Sequence, residues 1–227
     1  SCANPPHLWG GNAQYILVAE GSKVHKIGAD VPAESAALLS VIGNGIRWVK
    51  TRGELQFGET VAILGPGAQG LATVIAARQA GAHRIIVFGL ARDRMKLDLA
   101  KEFGATHAFC VEEVKPGEAV REVTGGEMAD LAVECTGAPS SIALAPDLLR
   151  PLGRCVLVGS MGGGKTVGMA TDRWILREIT VRGGLGQAWN CEDAARIVNG
   201  CAFAIEKMIT HVLPLERGEE GMRFFME

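Results

Sequence analysis

The stretch Gly65-Pro66-Gly67-Ala68-Gln69-Gly70 constrains this chain more than any other, because of what stands on either side of it. Before it runs Thr60-Val61-Ala62-Ile63-Leu64, short and apolar; after it, an Ala-rich segment carries Leu71, Val74 and Ile75 at helical spacing and stops at Gly81, a residue suited to ending a helix. Arg84-Ile85-Ile86-Val87-Phe88 follows, apolar and of buried-strand length. The order is strand, tight turn, a helix from Gln69 to Ala80, then strand: a β-α-β unit. In that setting the spacing G-x-G-x-x-G lets the backbone approach a pyrophosphate. The first glycine makes the turn, the second removes a side chain that would collide with the ligand, and the third lets helix and strand pack. Unpaired N–H groups at the helix start then face the anion. A dinucleotide site is expected here rather than an empty glycine turn.

From Glu59 onward the same alternation repeats. Apolar runs at Val61 to Leu64, Ile85 to Phe88, His107 to Cys110, Leu131 to Glu134, Cys155 to Val158 and Ile179 to Val181 are separated by amphipathic segments. Strands interleaved with helices predict a Rossmann-type α/β fold, a parallel sheet covered on both faces in the doubly wound order 3-2-1-4-5-6. The chain divides near residue 30. Before it, Gln14 to Ala19 and Lys23 to Ile27 read as two short strands around a Glu-Gly-Ser turn; after Pro32, Ala33 to Lys50 is helix-like, with Gly43-Asn44-Gly45 as an interruption. Residues 1–30 are thus expected to be a β segment distinct from a dinucleotide-binding domain over 31–227.

Composition narrows the function classes. At 227 residues, 48% hydrophobic and 21% charged, the chain can bury a full core, and a net charge of −2 without a long basic run argues against a nucleic-acid partner. Neither a long apolar span nor a signal-peptide pattern is present, so a cytosolic protein is expected. The cysteines are scattered without a C-x-x-C pair, and Cys110, Cys135 and Cys155 sit in apolar runs as small core residues would. His7, His25, His83, His107 and His211 are equally dispersed, and no metal site can be assembled from this pattern.

The choice of dinucleotide turns on the end of the second strand. An NAD site usually carries an Asp or Glu there to accept the ribose hydroxyls, whereas this chain has Gly89, with Arg92, Arg94 and Lys96 close behind. With no carboxylate to repel a 2′-phosphate, NADP is preferred and NAD is the second choice. Asp93 as a helix cap with solvated cations beside it is the plainer reading of the same residues.

At this point the sequence resembles a family, the medium-chain, mostly zinc-dependent alcohol and polyol dehydrogenases. Gly10-Gly11-Asn12-Ala13-Gln14-Tyr15 is similar to the strand that closes the family's GroES-like catalytic domain, with Gln14 in place of the usual Glu. Gly65 to Leu71 is similar to its cofactor turn. Ala100 to Ala105, Glu134 to Gly137, Val156 to Gly159, Leu176 to Gly183 and Ile209 to Leu215 follow in the family's order. The resemblance implies hydride transfer between an alcohol or polyol and the nicotinamide, with a zinc ion polarising the substrate oxygen. It places Val158, Gly159 and Ser160 beside the nicotinamide amide, Cys135, Thr136 and Gly137 along the cleft, and Asn44 where the family usually has a small hydroxyl residue. It also implies that the zinc ligands belong to a region upstream of the closing strand and are absent from this chain, so that residues 1–30 are the remnant of the catalytic domain. The 227 residues are then expected to bind dinucleotide without turning over substrate. An edge strand at Ile179 to Arg182 and the family's habit imply a homodimer.

Two other readings compete. Gly159-Ser160-Met161-Gly162-Gly163-Gly164-Lys165-Thr166 matches the G-x-x-x-x-G-K-T P-loop of nucleoside triphosphatases, although Gly168 weakens the helix that must begin at Lys165-Thr166. A non-catalytic dinucleotide sensor would keep the fold and need no acid, base or nucleophile; Ser160, Thr136 and His211 are candidates for such roles by residue type alone.

Overall fold

The computed structural model describes residues 11, 13–163, 166–186 and 189–226, with the side chains of 225 and 226 left aside. Cys2, His7, Gly10, Asn12, Gly164, Lys165 and Glu227, which entered the sequence reading, lie outside the described residues.

Every apolar run singled out in the sequence contributes a strand: β1 (Thr60–Leu64), β2 (Arg84–Gly89), β3 (His107–Cys110), β4 (Ala129–Glu134), β5 (Leu149–Leu157) and β6 (Thr180–Gly183). Among the described residues these form one sheet in the order β3-β2-β1-β4-β5-β6, with every neighbouring pair parallel. The doubly wound order is therefore as expected, and the order in which strands are added reverses between β1 and β4, where a crevice opens above the strand ends.

Helices α1 (Ala33–Ala37) and α2 (Leu39–Ile46), a wide π-helical turn (Arg47–Arg52), α3 (Ala68–Gln79), α4 (Arg94–Glu102), α5 (Pro116–Val123), α6 (Pro139–Leu144), α7 (Thr171–Ile175), α8 (Cys191–Asn199) and α9 (Gly218–Met226) fill the intervals. Side chains alternate across a strand, so β1 sends Val61 and Ile63 to one layer and Ala62 and Leu64 to the other. The first layer packs Ile42, Val49, Val74 and Ile75 over the sheet; the second packs Val120, Leu148 and Leu149. Helix α3 lies between the sheet and α2, which is why all residues from Gly70 to Ala77 are buried and no polar face remains. No helix of the described residues is long and apolar enough to cross a membrane.

Two expectations fail. Gly43-Asn44-Gly45 does not interrupt a helix, because α2 runs through it. The glycines serve close packing instead: a Cβ on Gly45 would stand 2.4 Å from the carbonyl oxygen of Ala72 in α3, so only glycine lets the two backbones meet. The second failure is at the amino-terminal side, where residues 14–19 and 23–27 are not strands. A short apolar run holds a strand only where a neighbour takes the backbone ladder and covers its side chains. Here Tyr15, Ile16, Val18 and Val24 are exposed, and the segment's backbone contact is a turn from Ser22 N–H to Ala19 O. The chain instead docks further along, with Gly28 N–H donating to Asn199 Oδ1 at 2.8 Å and Ile27 and Val31 resting on the first layer.

Candidate functional site

The glycine turn at the end of β1 has the geometry its spacing predicts. Gly65 has φ +98°, a conformation that favours glycine, and a Cβ there would lie 2.6 Å from Thr136 Cγ2. Gly67 stands at the start of α3, and a Cβ on it would meet nothing within 4 Å, so its open side faces solvent rather than protein. Gly70 is the tightest: its Cβ would be 1.8 Å from Gly65 O, which fixes how closely helix and turn can pack. No side chain caps α3, so the N–H groups of Ala68, Gln69 and Gly70 are left for an anion. The turn and the helix start together fit a pyrophosphate.

Beside the turn, toward β2, a cleft of about 380 Å³ is lined by Gly65, Pro66, Phe88, Gly89, Arg92, Asp93, Thr136 and Ser141, among others. Gly89 is where a ribose-binding carboxylate would sit, and its Cβ would already be 2.8 Å from Pro66 Cγ, so a larger residue would narrow this mouth. The cations expected here separate. Arg92 lines the cleft, whereas Arg94 lies 3.6 Å from Glu113 on another flank and Lys96 lies 2.9 Å from Asp93. Asp93 stands at the N-terminus of α4 but caps no N–H of that helix; its Oδ2 instead accepts Leu90 N–H at 3.2 Å and closes the turn before it.

The far wall is organised by Glu134, which the sequence marks as a strand end and as part of a family pattern, with no role of its own. A single acidic residue at the end of the apolar run Leu131-Ala132-Val133 was the available signal. Glu134 is fully buried. Its carboxyl group accepts Thr136 N–H at 2.8 Å, the Thr136 hydroxyl, Gly137 N–H at 3.1 Å and the Ser141 hydroxyl at 2.8 Å. Its main-chain carbonyl accepts the N–H groups of Val158 and Gly159. One side chain thus shapes the loop after β4, while its backbone fastens the end of β5. The two loops touch at backbone level, since a Cβ on Gly159 would be 2.0 Å from Gly137 N. Thr136, Gly137, Val158, Gly159 and Ser160 are accordingly brought together, with Thr136 and Ser160 exposed.

Cys135 sits behind this wall, its thiol 3.9 Å from the Thr73 hydroxyl. Burial pushes that thiol up to about 12, with the Thr73 hydroxyl pulling the other way and the Glu134 charge adding to the rise. Burial does the same for Cys155, also to about 12. Because the thiolate is the reactive form, both are expected to resist iodoacetamide at pH 8 while the exposed Cys201 is alkylated. Mass spectrometry of the native protein checks this, and rapid alkylation of Cys135 would contradict it.

Asn44, on α2, donates from Nδ2 to Gln69 Oε1 at 3.1 Å, so it reaches the first turn of α3. A segment that sequence reading left out lies beside it: a Cβ on Gly186, just past β6, would be 3.1 Å from Asn44 Oδ1. His211 stacks on Phe224 in an exposed stretch and lines no part of the cleft. Residues 166–170 of the expected P-loop helix are not helical, and α7 begins only at Thr171. Among the described residues no group of three or more His, Cys, Asp or Glu could hold a metal ion.

A doubly wound parallel sheet with a glycine-lined helix start at its reversal point defines the Rossmann-like class of α/β proteins. Comparison with known proteins narrows this. Residues 68–198 match the family model described as zinc-binding dehydrogenase, and the chain belongs to that family. It is 42% identical over 184 residues to a Mycobacterium tuberculosis protein named "Probable alcohol dehydrogenase adh", covering 80% of this chain and 50% of that one. It is 29% identical to an erythritol/L-threitol dehydrogenase of Mycolicibacterium smegmatis, covering 94% of this chain and 58% of that one. The chain therefore spans between half and three-fifths of the length of these relatives. Among solved structures, an alcohol dehydrogenase of Thermotoga maritima matches with a TM-score of 0.89 at 25% identity, covering 99% of this chain and 62% of that one. A zinc-binding dehydrogenase of Sinorhizobium meliloti bound to NADP matches with a TM-score of 0.80 at 27% identity, covering 86% and 57%.

Proposed function

We propose that this chain is the nicotinamide-dinucleotide-binding part of an alcohol or polyol oxidoreductase, with NADP as its dinucleotide ahead of NAD. The observation that carries the reading is the uncapped start of α3, wrapped by glycines whose missing side chains are each accounted for: a turn, an open face and a backbone contact. Gly65, Gly67, Ala68, Gln69 and Gly70 hold the pyrophosphate. Gly89 and Arg92 receive the adenosine half, with Arg94 adding positive charge from the flank. Asn44, Val158, Gly159 and Ser160 border the nicotinamide half, and Cys135, Thr136 and Gly137 run along the cleft. When bound, the nicotinamide supplies a hydride acceptor or donor for a primary or secondary alcohol carbon. This chain's residues orient it and shield one side from water.

The described residues do not fit a zinc site, so no metal-dependent step is assigned to them. Residues 1–30 are read as the remnant of a GroES-like catalytic domain, a reading supported by the exposed apolar side chains of Tyr15, Ile16 and Val18. The chain binds coenzyme and leaves alcohol oxidation to a fuller assembly; zinc-dependent alcohol oxidation by these 227 residues would contradict that. A homodimer through the edge strand β6 belongs to the same reading, and a monomer at micromolar concentration by light scattering would count against it. The dinucleotide preference is tested by titrating NADPH and NADH against the chain and its Arg92→Ala variant. The variant is expected to lose about tenfold in affinity for NADPH and little for NADH, since one charge-assisted contact is worth about 1.5 kcal/mol. NADH binding at least as tight as NADPH to the unaltered chain would end the preference.

A further inference from the structure

The segment after β6 is held in an unusual way. Gly184 to Gly186 form no regular element, yet the carbonyls of Gly183, at the end of β6, and of Leu185 and Gly186 are all occupied by side chains from a single stretch of helix. Arg47 donates from its guanidinium to Gly186 O, Trp48 Nε1 donates to Leu185 O at 2.8 Å, and Arg52 Nε donates to Gly183 O at 2.9 Å. All three donors stand on the π-helical turn Arg47–Arg52, whose wider i→i+5 winding brings Arg52 back beneath Arg47 and Trp48. Arg182 returns the contact, donating to Arg52 O at 2.9 Å, and Gly184 N–H is bonded to Leu157 O at 2.9 Å. The indole also packs on the segment, since a Cβ on Gly184 would lie 2.9 Å from Trp48 Cδ1 and 2.7 Å from Val158 Cγ1.

An edge strand can end in solvent, whereas here two arginines and a buried tryptophan hold the last residue of β6 and two of the three residues after it. The location supplies the reason. A dinucleotide at the reversal point of a doubly wound sheet lies across both halves, with one nucleotide over the β1–β2 ends and the other over the β4–β5–β6 ends. The cleft beside Gly89 and Arg92 belongs to the first half. The second half is bounded by Val158, by Asn44 and by the pinned segment, which meets both of those residues.

We infer that Arg47, Trp48 and Arg52 are positioning residues for the nicotinamide half of the cleft: by fastening the Gly183–Gly186 backbone they preform the wall against which the nicotinamide nucleotide rests. The inference builds on the dinucleotide reading above, and the test separates the two. Arg47→Met keeps the stem and removes the donors; Trp48→Phe keeps an aromatic ring and removes the indole N–H. Affinities for NADPH and for 2′-phospho-ADP-ribose, which lacks the nicotinamide, are measured by calorimetry on each variant and on the unaltered chain. Each variant is expected to bind NADPH about tenfold more weakly and 2′-phospho-ADP-ribose within about twofold of the unaltered chain, the loss expected for one hydrogen bond to a preformed wall. Equal losses for both ligands, or no loss for either, overturn the inference, as does an unaltered chain that binds both ligands equally. Variants that do not fold also count against it, because the side chains would then support the fold rather than the cleft. If the unaltered chain binds neither ligand, the dinucleotide reading itself fails.

Discussion

Gly70→Ala is expected to remove dinucleotide binding and to destabilise the fold at the same time. The added methyl would sit 1.8 Å from Gly65 O, a backbone atom that cannot rotate away as a side-chain tip could. Either α3 slides off the turn or the turn opens, and both destroy the alignment of the N–H groups at the helix start. Overpacking of this kind costs about 3 kcal/mol, and the loss of a preorganised anion cradle weakens binding by about a hundredfold or more. The control is Gly67→Ala, where nothing lies within 4 Å and the backbone angles suit alanine. That variant is expected to keep its stability within about 0.5 kcal/mol and still lose affinity, because its methyl projects into the space the ligand needs. Urea unfolding and NADPH titration of the two variants check the contrast. A Gly70→Ala protein with unaltered stability and affinity would contradict the packing described for the turn.

The second large effect is expected at Glu134. Glu134→Ala strands the N–H groups of Thr136 and Gly137 and the hydroxyls of Thr136 and Ser141, all of which now converge on one buried carboxyl group. A buried donor left unpartnered, as Gly137 N–H would be, costs about 1–3 kcal/mol, while water can reach the exposed Thr136 and half-buried Ser141, so a net loss of about 3 kcal/mol is expected. Glu134→Gln keeps the volume but turns an NH₂ group toward donors, and about 2 kcal/mol is expected. Thermal and urea unfolding measure both. Because the same loop borders the cleft, cofactor affinity is expected to fall with stability in the alanine variant. An alanine variant within about 1 kcal/mol of the parent would show that the loop is held by something else.

Much of this molecule was legible before its structure. The strands could be read because parallel strands buried on both faces are continuous apolar runs, and Val61–Leu64 and Ile85–Phe88 are such runs, set apart by glycine and polar residues. The glycine turn could be read because each of its glycines answers a local steric demand. What could not be read depends on contacts distant in sequence. Gly43-Asn44-Gly45 looks like a helix break until Ala72 is seen against Gly45. The apolar run at 14–19 looks like a strand, but among the described residues no neighbour pairs with it. Glu134 looks like a strand end until four donors are found around its carboxyl group. The π-helical turn carries no local signal: Arg47, Trp48 and Arg52 read as ordinary helix residues, and only carbonyls more than 130 positions away reveal their work.

The function of this chain turns on whether the backbone at Gly65 to Gly70 receives the paired phosphates of a dinucleotide. Calorimetric titration of the folded chain with NADPH tests this most directly. Saturable heats with one coenzyme per chain, abolished in Gly67→Ala, are the predicted result. Flat heats with both NADPH and NADH, from protein whose circular dichroism and cooperative unfolding show it to be folded, would contradict it.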